Sequence, residues 1–234
     1  MVIKISKPSK MKVTGKRVGC WSLGARISCP GSVNDDGSVV DVCKMCYATK
    51  NMYNFPVVKA ARATNREDYK KDDWVDRMVK EVSKYDYFRW FDSGDIETPE
   101  LAEKIGKVIA RTTKTQHWLP TRSDKIPAIL NALPFKPLNR QHVSVNNAIL
   151  KAHTSTAYTA KYPNVALRPS ADHIGLNNQE RPGVNSYVIE TKDLFECKKQ
   201  GIYLCPVTSP GSTQKSCDTC TMCYTDAPVA YLVH

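Results

Sequence analysis

The grouping of the cysteines constrains this chain more than any other feature. Six of the nine cysteines lie in two short clusters, at 43–46 and at 205–223. An odd number of cysteines cannot pair completely into intrachain disulfides, and disulfides are rare in a reducing compartment. Thiols that cluster in such a compartment usually bind metal. We therefore expect the fold to gather these thiols around metal.

The rest of the sequence favours a reducing, cytoplasmic location. No stretch approaches the roughly 18 uninterrupted apolar residues that a membrane-spanning helix needs. The first ten residues contain lysines but no apolar segment of the signal-peptide kind. We expect a cytoplasmic protein that does not contact a membrane.

The C-terminal cysteines have the spacing Cys217-x2-Cys220-x2-Cys223, with Cys205 and Pro206 upstream. A [4Fe–4S] cluster needs four thiolates, and the ferredoxin pattern also combines a tight run with a more distant Cys-Pro ligand. Zinc sites normally use paired C-x2-C knuckles, so a triplet suits one tetrahedral ion less well. The spacing favours an iron–sulfur cluster, with zinc and unligated thiols as the alternatives.

The second cysteine group is Cys43-x2-Cys46, with Cys29-Pro30 and Cys20 upstream. A lone C-x2-C pair is also compatible with half a zinc knuckle or a redox pair. Three thiolates on one cluster would leave one iron open to a substrate or cofactor, as a catalytic zinc keeps an open position. Cys197 stands alone, and we interpret it as a thiol without a ligand role.

Predicted strands and helices alternate through the middle of the chain. Strands are predicted at 87–91, 116–120, 142–145 and 164–167, and helices from Asp72 or Asp73 to about 84, from Thr98, and at 126–133. This alternation favours an α/β fold with parallel strands joined by right-handed crossovers. Four strands are too few for an eight-stranded barrel. We expect a partial, incomplete parallel α/β barrel with extra strands from the N-terminal region.

The domain organisation follows from these patterns. We expect a single domain made of a basic irregular arm with the first cysteines at 1–42, an α/β core at 43–180, and an irregular cysteine-rich segment at 181–234.

Polar residues recur just past each predicted strand: Asp92 to Asp95, Thr121 and Arg122, Asn146 and Asn147, Arg168 and Ser170. Ligands of parallel α/β folds bind at the carboxyl edge of the sheet. Loops are polar in any protein, but four repeats at successive strand ends favour a shared pocket over that interpretation.

The formal net charge is +11, and six basic residues lie within the first 17 positions, ahead of the first acid, Asp35. They are Lys4, Lys7, Lys10, Lys12, Lys16 and Arg17. A basic segment of this kind contacts nucleic-acid phosphates in some proteins and is a solvated arm in others. The sequence leaves both interpretations open.

Several motifs together carry a family resemblance. They are SKPSKMK at 6–12, SLGA at 22–25, CPG at 29–31, CKMCYA at 43–48, FRWFDSGDI at 88–96, WLPTR at 118–122, LRPSA at 167–171, CP at 205–206 and CDTCTMCY at 217–224. In these motifs the chain resembles the bacteriophage proteins called "gene product eighty-eight". Phe91 stands where that family more often has histidine.

The resemblance implies an iron–sulfur protein distantly similar to radical S-adenosylmethionine enzymes, which use a partial α/β barrel. If a phage encodes the chain, its location is the host cytoplasm. The family positions imply metal ligation, by one or two [4Fe–4S] clusters, at Cys29, Cys43, Cys46, Cys205, Cys217, Cys220 and Cys223. The chain has only the second half of the C-x3-C-x2-C loop of radical enzymes, so the third ligand would come from Cys29 or elsewhere.

The resemblance and the strand-end residues together suggest a cofactor site for S-adenosylmethionine. Asp92, Ser93 and Asp95 follow the first strand, where such enzymes bind the methionine amine. The other candidate cofactor-binding residues are Arg122, Asn147 and Arg168, the last two for the ribose or the carboxylate. Neither the substrate nor the catalytic residues can be named.

Three hypotheses follow. The first is a radical-type enzyme that uses S-adenosylmethionine on an unknown substrate. The second is a non-catalytic protein whose [4Fe–4S] cluster is structural or redox-sensing. The third is a nucleic-acid-binding metalloprotein that uses the basic surface.

Overall fold

The fold is built on an eight-stranded, mostly parallel sheet. A computed structural model describes residues 3–7, 11–123, 126–133, 164–176, 184–214, 216–225 and 227–233. The strands are β1 (Ile5–Ser6), β2 (Val18–Trp21), β3 (Tyr87–Trp90), β4 (Gln116–Thr121), β5 (Val165–Ile174), β6 (Ser186–Ile189), β7 (Tyr203–Leu204) and β8 (Val229–Leu232). The helices in these ranges are α1 (Asp41–Lys44), α2 (Pro56–Asp68), α3 (Trp74–Val82), α4 (Pro99–Arg111), α5 (Pro127–Ala132) and α6 (Leu194–Lys199).

The strand order is β1-β2-β3-β4-β5-β6-β8-β7. β1 runs antiparallel to β2, and every other neighbouring pair is parallel. The carboxyl ends of β2 to β6 therefore meet along one edge of the sheet. The α/β class is confirmed, and so is the expectation that the N-terminal region adds strands to the sheet.

Helix α4 shows how closely local sequence signals determine an element. Thr98 Oγ1 accepts a 3.1 Å hydrogen bond from the backbone N–H of Leu101, and Pro99 occupies the first helical position. The predicted apolar stripe of this helix is fully buried, at Leu101, Ile105, Val108 and Ile109. Both the start of the helix and its inward face are confirmed.

Large aromatic rings fill the main core between the sheet and these helices. Trp21 of β2 makes edge contacts with Trp74 at 5.4 Å, Phe91 at 5.7 Å and Trp90 at 6.1 Å between ring centroids. A second, smaller core joins β6, α6 and β8 through Ile189, Cys197, Ile202, Ala230 and Leu232. Cys197 is 1% exposed there, so its thiol is a packing group.

Residues 1–42 are less irregular than expected, because β1 and β2 lie within them. β2 has only four residues, and three of them are buried without an alternating polar face. Gly19 lies against the ring of Tyr85, which occupies the space a side chain would fill. A short strand buried on both faces has no period-2 signal to reveal it. Regular structure likewise extends into 181–234, which contains β6, α6, β7 and β8.

β5 corrects the predicted end of the fourth strand. The strand continues past Leu167 to Ile174, so Arg168, Pro169 and Ser170 lie inside it and not in a loop. Proline has no N–H to donate to a neighbouring strand. The carbonyl of Pro169 still pairs the strand, because it accepts a 3.2 Å hydrogen bond from Asn185 N. The predicted end of the fourth strand at Leu167 is therefore wrong.

The predicted strand at 142–145 and the polar pair Asn146 and Asn147 lie outside the described residues. Among the helices that are described, none has the length and apolar character to cross a bilayer.

Candidate metal centres

All four C-terminal cysteines line one pocket. Cys205 directly follows β7, while Cys217, Cys220 and Cys223 lie on the loop before β8. The pocket is completed by Met11, Val13, Trp118, Tyr203, Pro206, Val207, Met222, Tyr224 and Val229. Thiols that are separated by 18 residues in sequence, from 205 to 223, thus share an apolar and aromatic surrounding.

Hydrogen bonds hold the cysteine loop to its surroundings. Thr14 N donates to Asp218 O at 2.8 Å, and Val13 forms a β-bridge with Asp218. Two phenols contact the sulfurs: Tyr203 OH lies 3.5 Å from Cys220 Sγ, and Tyr231 OH lies 3.0 Å from Cys223 Sγ. The N-terminal segment and β8 therefore both help to fix the thiols.

The pocket favours protonated thiols unless a cation is present. Burial, together with the charges of the other three cysteines of the pocket, raises the pKa of Cys217 to about 12. Burial also raises the pKa of Cys205 and of Cys223, although Arg168 and Arg89 lower that of Cys223. Metal binding needs thiolates and is itself the source of positive charge that stabilises them. A cation that binds these thiols would therefore displace their protons.

The three N-terminal cysteines form a second group. Cys29 precedes a short 3-10 helix at Pro30–Ser32, Cys43 lies in α1, and Cys46 caps the turn at Tyr47–Thr49. Burial, together with the charges of Asp95, Cys43 and Cys46, raises the pKa of Cys29 to about 12. The mutual influence of these thiols shows that the fold brings Cys29 within electrostatic reach of the C-x2-C pair.

This second group lies at the carboxyl edge of the sheet. A Cβ on Gly31 would stand 2.3 Å from the backbone O of Arg122, so the Cys29 loop packs directly on the end of β4. Asp95 N donates to Ser28 O at 2.7 Å, which joins the same loop to the turn after β3. The side chain of Arg122 lowers the pKa of Cys43, against the larger effect of burial.

Asp95 is the central acceptor of this edge. Its Oδ1 accepts 2.7 Å hydrogen bonds from Thr121 Oγ1 and from Ile96 N, and its Oδ2 accepts one from Arg122 N at 2.7 Å. Burial nevertheless raises the pKa of Asp95. Arg122 in turn donates from Nη2 to Ala171 O at 2.7 Å and lies 3.6 Å from Asp172 Oδ1.

Asp92 and Ser93 are bound by protein groups in this structure. Arg62 Nη2 donates to Asp92 Oδ1 at 3.0 Å, and Ser22 Oγ donates to the same oxygen. Ser93 Oγ donates to Leu23 O at 2.7 Å and accepts from Arg62 Nε. Asp92, Ser93, Asp95 and Arg122 thus lie together near the N-terminal cysteines, while Asn147 lies outside the described residues.

Arg168 lies elsewhere, beside the C-terminal cysteines. It is fully buried in β5, and its Nη1 donates to Thr225 O at 2.7 Å and to Ala227 O at 2.9 Å. Its Nη2 donates to Asn185 O. The structure therefore brings together the residues after β3 and β4, but it places Arg168 apart from them.

Arg89 of β3 lies between the two cysteine groups and was not anticipated as a site residue. Its guanidinium carbon stands 4.4 Å from the ring centroid of Trp118, which lines the C-terminal pocket. Its Nη2 donates to Tyr47 OH at 3.1 Å, and Tyr47 directly follows Cys46. A charged residue inside the apolar run at 87–91 was the signal that could have identified it.

The hydroxyl of Tyr47 is the link to Arg89, although 53% of the residue is exposed. It donates to Asp92 O at 2.7 Å. Burial raises the pKa of Tyr47, because the hydroxyl points into the protein while much of the residue faces solvent.

No group of three or more His, Cys, Asp or Glu side chains within the described ranges is arranged to hold a metal ion. His173 Nδ1 lies 3.3 Å from Oδ2 of Asp41 on α1. Cys20 is fully buried and does not line the pocket of the C-terminal cysteines.

Comparison with known proteins gives one match. A family model described as "Gene product 88" matches residues 4–226, which is most of the chain. Among curated proteins and among solved structures, nothing matches. The match confirms the family that the motifs indicated.

Proposed function

The chain belongs to the Gene product 88 family, and we propose that it is an iron–sulfur protein with two cysteine-bound [4Fe–4S] clusters. One cluster is held by four thiolates, and the other by three thiolates with one iron open to a ligand. The first set is Cys205, Cys217, Cys220 and Cys223, and the second is Cys29, Cys43 and Cys46. The observation that carries the proposal is the single pocket lined by the whole C-terminal set.

The donor set suits a cluster better than a single ion. Four thiolates around one zinc stand only roughly 3.8 Å apart, since each Zn–S bond is about 2.3 Å. In a cluster each thiolate binds its own iron, so the four sulfurs surround a larger body. Apolar and aromatic walls such as Trp118 and Val229 also suit a sulfide-rich group.

The N-terminal group is the candidate for a catalytic centre. Its loop packs on the residues that follow β4, beside Asp95 and Arg122. Parallel strands β2 to β6 are neighbours in chain order, as in a partial α/β barrel, and such folds bind ligands at this edge. Together with the family resemblance, this supports S-adenosylmethionine as the ligand of the open iron, where a cluster would supply one electron.

Metal analysis of protein purified without oxygen tests the two-cluster proposal. We expect about eight iron and eight sulfide per chain, and about four of each after Cys29, Cys43 and Cys46 are all replaced by alanine. Replacing Cys217, Cys220 and Cys223 together should also leave about four. Cys20→Ala and Cys197→Ala are matched controls that should not change the iron content. Colourless protein with zinc or no metal would overturn the proposal.

Product analysis tests the enzymatic part separately. Reduced, reconstituted protein with S-adenosylmethionine should yield methionine and 5′-deoxyadenosine. The variant without Cys29, Cys43 and Cys46 should yield neither. If protein with a full iron content yields neither product, the proposal of radical chemistry is wrong, whereas the proposal of two clusters is unaffected.

A non-catalytic role is the second candidate, favoured by the bridge between Val13 and Asp218. A cluster on the C-terminal loop would stabilise this junction between the two ends of the chain, since structural metals supply folding free energy. An iron content of about four, lost only when the C-terminal cysteines are replaced, would favour this role.

A further inference from the structure

We propose that Arg168 and Arg89 are the charge partners of the cluster held by the C-terminal cysteines, and that they raise its reduction potential. The inference rests on the proposed function. It replaces the sequence-based expectation that Arg168 binds a ribose or carboxylate of a cofactor.

Arg168 is a buried cation without an anionic partner in the described structure. Its side chain is among the largest that are fully buried. Among the described residues its guanidinium donates to backbone carbonyls alone, those of Thr225, Ala227 and Asn185, and its Nε has no hydrogen-bond partner there. Burial of an unpaired charge is costly, so a positive charge at this position favours an anion other than the carboxylates of the described residues.

The position of Arg168 identifies where that anion would lie. Thr225 and Ala227 follow Cys223 by two and four residues, so Arg168 holds the end of the cysteine loop. Cys223 and Tyr224, which immediately precede Thr225, line the cysteine pocket. We therefore place the inferred anion in that pocket.

Arg89 approaches the same pocket from β3. It stacks on Trp118 at 4.4 Å, and its Nη1 lies 3.5 Å from Met11 Sδ; both residues line the pocket. Its remaining hydrogen bonds go to Phe91 O and to Tyr47 OH. Asp92 influences Arg89 electrostatically, but that carboxylate forms its ion pair with Arg62.

A four-thiolate [4Fe–4S] cluster has the charge that these cations would balance. Its common oxidised form has a net charge of about −2, and uptake of one electron from an external reductant makes it about −3 without breaking a bond. A nearby cation stabilises the more negative state more strongly. Loss of either arginine charge should therefore shift the equilibrium towards the oxidised cluster.

A redox titration of the C-terminal cluster alone tests the inference. The parent protein carries Cys29→Ala, Cys43→Ala and Cys46→Ala, so that one cluster remains. Arg168→Gln and Arg89→Gln should each lower the reduced-to-oxidised ratio at fixed potential at least tenfold, which is a 59 mV negative shift for one electron. Arg89→Lys keeps the charge and should stay close to the parent. Arg111→Gln removes an equal charge from an exposed pair with Asp76 and should change nothing.

The outcomes separate the two proposals. A parent protein without iron would overturn the proposed function itself. A parent with four iron whose potential is unchanged by both glutamine variants would overturn only the present inference. If Arg168→Gln does not fold, Arg89→Gln decides. Loss of the cluster in both Arg89→Gln and Arg89→Lys would show a steric role and also overturn it, whereas loss in Arg89→Gln alone would support it.

Discussion

Thr121 Oγ1 donates a 2.7 Å hydrogen bond to Oδ1 of Asp95, and this contact joins the last residue of β4 to the turn that follows β3. The same hydroxyl oxygen accepts a 3.0 Å hydrogen bond from Ser123 N. Both residues of the pair are buried. One hydroxyl thus organises the edge of the sheet on which the Cys29 loop packs.

Replacing Thr121 by valine should lower the free energy of unfolding by about 1–3 kcal/mol. Valine has nearly the same shape, so the packing is kept while the hydroxyl is lost. Ser123 N–H then has no acceptor and Asp95 Oδ1 loses a donor, both inside the protein. Urea-induced unfolding, monitored by circular dichroism, measures the change.

Thr113→Val is the matched control for that substitution. Thr113 is exposed in the turn after α4, so its replacement should change the free energy of unfolding by less than about 0.5 kcal/mol. Equal stabilities of the two variants would contradict the importance assigned to the Thr121 hydroxyl.

The turn after β3 also requires glycine at position 94. Gly94 has φ +74°, and a Cβ there would lie 2.6 Å from Leu23 Cβ. Gly94→Ala should lower the free energy of unfolding by about 1–2 kcal/mol from backbone strain and by a further 1–3 kcal/mol from the clash. Thermal or urea unfolding measures the total.

Gly15→Ala separates these two contributions. Gly15 has a similar φ of +70°, but nothing lies within 4 Å of the position its Cβ would occupy. This variant should therefore show only the backbone contribution of about 1–2 kcal/mol. If both alanine variants lost the same stability, the contact between the turn and Leu23 would contribute nothing.

Local signals predicted the elements that carry them. The cap Thr98 and the stripe from Leu101 to Ile109 fixed the start and the face of α4, because capping and a 3.6-residue period are encoded within a few residues. Parallel strands end at one edge of the sheet, which is why the expectation that Asp95 and Arg122 lie together holds in the structure. Extra strands were expected in the N-terminal region, but the position of β2 was not predicted, because four residues buried on both faces show no alternation.

Features that depend on the tertiary structure could not be predicted from local sequence signals. Spacing alone left open which cysteines share a cluster, since the grouping depends on how the Cys29 loop packs on β4. The fourth strand was predicted to end at Leu167, whereas it continues past the pairing with Asn185 to Ile174. Arg168 was therefore expected after the strand but lies inside it.

A buried ion pair joins α2 and α3. Arg77 donates from Nη1 to Asp68 Oδ2 at 2.7 Å and from Nη2 to Oδ1 at 3.1 Å, and the Asp68 side chain is only 1% exposed. Burial opposes ionisation of Asp68, but hydrogen bonds and charge from Arg77 and Lys71 outweigh it and lower the pKa of Asp68. The pair therefore stabilises the fold above the unfolded-state pKa of 3.8, and this contribution is lost as the pH falls.

Arg77→Met should lower the free energy of unfolding at pH 7 by about 3 kcal/mol, because a buried carboxylate loses its main partner. Lys71, at 3.2 Å from Asp68 Oδ1, keeps the loss near the lower end of the usual range. Lys84→Met breaks the exposed pair with Glu81 and should change the value by less than about 1 kcal/mol. Urea unfolding measures both variants. Similar losses of unfolding free energy in Arg77→Met and Lys84→Met would refute the distinction between the buried and the exposed ion pair.

His117 is held neutral inside the main core. Trp90 Nε1 donates to His117 Nδ1 at 3.2 Å, so the ring proton lies on Nε2, which donates to Thr112 Oγ1 at 2.9 Å. Burial lowers the pKa of His117 from 6.5 to about 3. The unfolded chain therefore binds a proton between these values that the folded chain does not.

This difference predicts how stability depends on pH. The contribution of a neutral His117 is fully present above pH 6.5 and falls as the pH decreases towards 3, by about 1.4 kcal/mol per pH unit. Between pH 7.5 and pH 5 the wild-type protein should lose about 2 kcal/mol more of its free energy of unfolding than His117→Gln, which cannot titrate. Urea unfolding of both proteins at the two pH values measures this difference. Because every other titratable group is common to the two proteins, an equal loss in both would mean that His117 is protonated within the fold.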